Sequence, residues 1–133
     1  LLDEQPEYLI FNGAVGALTT DSPLTAEVGD TVRIFFGVGG PNLTSSFHVI
    51  GEIFDRVYNL ASLTSAPLTD VQTTLVPPGG AVMVEFVLQV PGRYLLVDHA
   101  LSRLERGLVG FLEVTGPDNL EVFQGEMTEG SGH

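Results

Sequence analysis

The sequence predicts an all-β protein: a Greek-key β-sandwich or barrel of about eight strands, with one short helical turn near residues 100–106. Three observations carry this expectation. Sixteen glycines and eight prolines break the chain of 133 residues into short pieces. No window has the 3.6-residue apolar period of a long amphipathic helix. The apolar runs between breakers are built from Val, Leu, Phe, Ile and Thr, as half-buried strands are. A chain of this length suits one domain that buries about two-thirds of its extended surface.

Taken in order, residues 1–7 form an acidic lead-in and residues 8–12 read as a first strand, followed by a loop at Gly13 and Gly16. Residues 24–28 are extended, Gly29-Asp30 reads as a hairpin-type turn, and residues 31–36 place Val32, Ile34 and Phe36 on one face. The breaker-rich loop GVGGPNLTSS leads into the apolar strand Phe47-His48-Val49-Ile50, and residues 53–58 are extended again. Residues 59–69 read as a surface excursion and residues 70–76 as one strand. Pro77-Pro78-Gly79-Gly80 is a turn, because the prolines donate no ladder hydrogen bond. Residues 81–88 are the clearest strand, with Val82, Val84, Phe86 and Leu88 alternating against Met83, Glu85 and Val87.

The run RYLLVDHALSRLERGLVGFLEV, residues 93–114, organises the rest. Tyr94 to Val97 suit an interior strand, and Asp98 and His99 arrive where that strand signal ends. The piece 100–106 is too short to be a helix without packing. Gly107 and Gly110 bracket the return into Phe111-Leu112-Glu113-Val114. Gly116-Pro117 then closes the globular part, so the expected organisation is a lead-in over 1–7, a domain over 8–117 and an acidic tail over 118–133.

Seventeen acidic against five basic residues give a formal charge of −12. A phosphate backbone would be repelled, which argues against nucleic acid as a partner. There is no cysteine, so disulfides, thiol catalysis and a thiolate-centred copper site within this chain are excluded. No signal-peptide pattern and no run of about twenty apolar residues appears, and membrane insertion is not expected. No P-loop, HExxH or dinucleotide fingerprint is present. Asn42-Leu43-Thr44 fits the three-residue glycosylation pattern.

Three histidines could do chemistry, and His133 lies in the tail. His48, inside an apolar run, reads either as a sheet histidine satisfied by backbone or as an acid/base group, with Thr73 or Thr74 as a possible partner. His99, at a strand end, is the better metal ligand, since neutral imidazole binds Cu(II), Zn or Ni. One imidazole is not a metal site, so His99 needs ligands from another domain or another copy. Asp98 reads as a partner of His99 or as a carboxylate capping the next turn. Arg103 and Arg106 read as a solvated face, as partners of acids or as part of an interface.

Four segments carry a family resemblance: FNGAVGAL (11–18), GPNLTSSFHVIGEIFDRVY (40–58), VQTTLVPPGGAVMVEF (71–86) and PGRYLLVDHALSRLERGLVGFLEVTGP (91–117). In that order they resemble the C-terminal, second cupredoxin domain of copper-containing nitrite reductase, over nearly the whole chain.

The resemblance implies a cupredoxin-type sandwich from a periplasmic homotrimer that reduces nitrite to nitric oxide. In that family an N-terminal cupredoxin domain holds the type 1 copper and gives two histidines to a type 2 catalytic copper. The second domain of a neighbouring subunit gives the third histidine, which here falls on His99. The non-ligating active-site histidine falls on His48, the apolar residue crowding the substrate on Ile50, and the threonine that orients the histidine on Thr73. Type 1 copper is not expected in this chain. The chain alone, lacking two type 2 ligands, is expected to be inactive without the companion domain. The contrasting expectation is a structural cupredoxin domain that trimerises and has no metal or catalytic role.

Overall fold

The computed structural model describes residues 2–125. The apolar alternation predicted by the sequence becomes nine strands in two facing sheets: β1 Leu24–Glu27, β2 Thr31–Gly37, β3 Ser45–Ile50, β4 Phe54–Tyr58, β5 Leu68–Val71, β6 Thr74–Val76, β7 Ala81–Val87, β8 Gly92–Asp98 and β9 Val109–Thr115. One sheet runs β1-β9-β8-β3-β6 and the other β2-β7-β4-β5. All pairs are antiparallel except β1 with β9. The short turn expected near 100–106 is present as the 3₁₀ segment Leu101–Arg106, closed by Gly107 at φ 102°.

The core is an aromatic ladder laid across the gap between the sheets. Phe36 of β2 stacks on Phe47 of β3 at 4.1 Å, Phe47 on Phe54 at 5.7 Å, and Phe54 lies 5.9 Å from Phe86. Val49, Val57, Val76, Val82, Val84, Leu96 and Leu112 fill the remaining volume. Val32, Ile34 and Phe36 pack against this cluster from one face of β2, as their alternation predicted.

Four expectations change. Residues 8–12 are not a strand: Asn12 and Gly13 adopt φ 49° and 85° and turn the chain, while Phe11 packs edge-on against Phe36 at 5.9 Å. Beyond them the expected loop at Gly16 winds into a π-helical turn, Ala17–Asp21, whose Leu18 lies over Gly110. A Cβ on Gly110 would meet the Leu18 Cβ at 3.0 Å, so a side chain there would make Leu18 shift by a few tenths of an ångström. Gly29-Asp30 is not a hairpin, because β1 and β2 belong to different sheets. Instead the Asp30 carboxylate accepts the Glu27 N–H at 2.9 Å and Gly29 takes φ 96°, making a corner.

The fourth change matters most for the site. The single strand expected over 70–76 splits into β5 and β6, one in each sheet. Antiparallel sandwiches turn corners where a strand bends from one sheet into the other. Here the bend falls at Gln72-Thr73 and brings the backbone of that corner against β3. Of the acidic tail expected over 118–133, residues 126–133 and His133 with them lie outside the described residues.

Candidate metal and proton-transfer site

Strand parity places the two histidines together. Phe47 and Val49 point into the core, so His48 and Ile50 must occupy the opposite, outer face of the five-stranded sheet. Register pairs His48 with Val97 and Ile50 with Leu95. His99 follows the last paired residue of β8, and its N–H donates to the Ser46 carbonyl at 2.8 Å, extending the ladder by one step. His48 and His99 are therefore diagonal neighbours on one face. Their ring centroids lie 5.4 Å apart, tilted by 46°.

The two rings differ in environment. His48 is 6% exposed, whereas His99 is exposed at the strand end. His48 Nδ1 lies 2.6 Å from the Gln72 carbonyl oxygen. A carbonyl can only accept, so Nδ1 carries the hydrogen and Nε2 is the nitrogen left for chemistry. The partner is thus a main-chain group at the β5–β6 corner and not the hydroxyl of Thr73 or Thr74. Thr73, next in the same corner, is exposed, and Thr74 is buried opposite Phe47. Ile50, 40% exposed, lies two residues from His48 on the same face.

Asp98 is fully buried, on the core side of β8. Its carboxylate accepts from Ser45 Oγ at 3.0 Å, Ser46 N–H at 3.4 Å, Ala100 N–H at 3.0 Å and Arg103 Nη1 at 2.5 Å. Burial alone would raise its pKa. The Ala100 N–H, the Arg103 guanidinium and the Ser45 hydroxyl outweigh that and hold it below the ordinary value. Of the readings open for Asp98, turn-capping is seen, through Ala100. Of those open for Arg103, pairing with an acid is seen.

A cavity of about 420 Å³ lies behind this carboxylate, walled by Tyr8, Phe11, Phe36 and Leu43 and reaching Asp98 and Arg103. It touches neither histidine, and its one fully buried charge is already saturated by donors. Elsewhere, burial pushes Glu52 up to about 7, the Asp55 charge adds to this, and the Ile53 N–H opposes it.

The donor set bears on copper directly. Neutral imidazole nitrogen is a fitting ligand for Cu(II). Among the described residues, no three His, Cys, Asp or Glu side chains are grouped closely enough to hold a metal ion. The chain itself has no cysteine. The residues present therefore fit part of a mononuclear copper site: one open imidazole at His99, with the His48 ring beside it.

Comparison with known proteins gives this arrangement a family. No protein-family model matches the chain. The chain is 49% identical over 129 residues to a copper-containing nitrite reductase of Neisseria meningitidis, covering 95% of this chain and 32% of that protein. Among solved structures, a Cu-containing nitrite reductase from Thermus scotoductus SA-01 superposes with a TM-score of 0.79 at 33% identity, covering 86% of this chain and 27% of that one. A copper nitrite reductase from Nitrosomonas europaea superposes with a TM-score of 0.74 at 29% identity, covering 86% and 42%. The fold and the outward-facing histidines define a cupredoxin-like β-sandwich. By sequence, the chain matches one cupredoxin-like domain of copper-containing nitrite reductases, spanning about a third of the length of the curated relatives it resembles.

Proposed function

We propose that this chain is the second cupredoxin domain of a copper nitrite reductase, and that it completes a type 2 copper site shared with an N-terminal cupredoxin domain of a neighbouring subunit. The pair of imidazoles 5.4 Å apart on one outer face is the observation that carries the reading. His99 is the ligand and His48 the proton-handling group, because only His99 stands exposed at the strand end. Among the described residues no group of side chains supplies the further ligands, so the companion domain provides them. The assembly is a homotrimer in the periplasm, and type 1 copper resides in the companion.

The overall reaction is NO₂⁻ + 2H⁺ + e⁻ → NO + H₂O, in which one N–O bond breaks and the departing oxygen leaves as water. Copper, when bound, supplies the electron and a Lewis-acid anchor for the anion. The chain's own residues manage position and protons. The Nδ1–H bond to the Gln72 carbonyl fixes the His48 ring and leaves Nε2 as the nitrogen that handles the transferable proton. Ile50, on the same face, limits how the anion lies. Thr73 helps hold the corner that presents Gln72.

The test is to count copper and measure nitrite turnover for this chain with and without its companion domain. The chain alone should reduce no nitrite, and His99→Ala in the assembled protein should lose type 2 copper. Turnover by the isolated chain, or full copper retention by His99→Ala, would overturn the proposal. The latter result would favour a purely structural, trimerising domain.

A further inference from the structure

We propose that Asp98 and Arg103 form a clamp that positions His99 toward His48 before any partner domain or metal arrives. The inference rests on the reading of His99 as a metal ligand, but the geometry behind it lies wholly within this chain.

Every segment around His99 is tied to one carboxylate. The residue before it in β8 is Asp98 itself, and the residue after it, Ala100, donates its N–H to Asp98 Oδ1 at 3.0 Å. The neighbouring strand β3 is held at its first two residues, through Ser45 Oγ at 3.0 Å and Ser46 N–H at 3.4 Å. The 3₁₀ segment is held through Arg103 Nη1 at 2.5 Å, and the same Nη1 reaches the Thr44 carbonyl at 2.8 Å. His99 adds its own N–H to the Ser46 carbonyl at 2.8 Å. His48 stands two residues further along that same β3, so fixing Ser46 against His99 also fixes the spacing of the two rings.

The Asp98 side chain is wholly buried and the Arg103 side chain is 21% exposed. Removing one partner of such a pair leaves a buried charge uncompensated, and the turn must open to hydrate it. A turn that opens there moves His99 away from β3, which is why the clamp acts on the site through His99. Orienting groups behind a metal ligand typically change metal affinity by about 10–100-fold when removed.

The experiment uses the full chain and two readouts: the nuclear Overhauser contact between the His48 and His99 rings, and Zn(II) affinity followed on the His99 ring signals. Arg103→Gln should lose the inter-ring contact and weaken Zn(II) about tenfold, while the signals of Phe47 and Val84 in the core stay put. Arg103→Lys, which keeps the charge, should restore both. A folded Arg103→Gln that keeps the ring contact and the Zn(II) affinity overturns the clamp. So does a fall in melting temperature with the ring contact intact, since that is ordinary stabilisation. Should Arg103→Gln not fold, Asp98→Asn, which keeps an acceptor for Ala100 but drops the charge, is read by the same two outcomes. Separately, if His99→Ala binds Zn(II) like wild type, the ligand reading of His99 fails, and the ring contact in Arg103→Gln still decides the clamp.

Discussion

His48 Nδ1 donates to the main-chain carbonyl of Gln72 at 2.6 Å, across the corner where the chain passes from one sheet to the other. This fixes the tautomer of a buried ring without spending a side chain on it. In ¹⁵N spectra, neutral His48 should therefore appear as the Nδ1–H form. Gln72→Ala keeps the carbonyl and should leave turnover of the assembled enzyme within about twofold. His48→Ala should retain copper and lower turnover by about 10²–10⁴-fold. Equal losses for the two variants would mean that the Gln72 side chain, not its backbone, governs the ring.

His99 is exposed, and the hydrogen bond that ties it to β3 is made by its backbone N–H. His99→Ala should therefore leave the melting temperature of the chain nearly unchanged, within about 0.5 kcal/mol of wild-type stability. Thermal unfolding followed by circular dichroism checks this. A large loss would show that the imidazole is part of the packing.

Phe47 has no exposed surface and stacks on Phe36 and Phe54 together. Truncating it removes the middle rung joining the two sheets. Phe47→Ala should cost about 3–5 kcal/mol, read from denaturant midpoints at constant slope.

Glu52 gives a pH signature with a definite sign. Its pKa is raised from 4.5 to about 7 by burial and then by the Asp55 charge. Between those values the unfolded chain releases a proton that the folded chain keeps, so stability falls as pH rises through this window and then levels off. Glu52→Gln should raise the melting temperature above pH 7, by about 2–4 °C for a half-buried and screened group. The gain should vanish below pH 4.5. A gain independent of pH would point to packing instead of ionisation.

The order of most strands and the inward face of β2 were legible because apolar alternation reports which side of a strand is dry. The pairing of strands was not. Gly29-Asp30 looks locally like a hairpin, yet its flanking strands belong to different sheets, since the partner of β1 is β9, nearly ninety positions away along the chain. The run 70–76 likewise reads as one strand, because a bend between sheets leaves little trace in residue type. For the same reason the Gln72 carbonyl was invisible: every residue has one.

The residues alone determined that His99 stands at a strand end, that His48 has the opposite parity to Phe47 and Val49, and that no thiolate is present to hold a metal. Only the tertiary structure decided that the two imidazoles meet, which nitrogen of His48 remains free, and that Asp98 binds Arg103 and Ser45 rather than His99. Parity and composition are local properties of a chain. A distance between rings is set by register between strands about fifty residues apart, and register is decided by how the whole core packs.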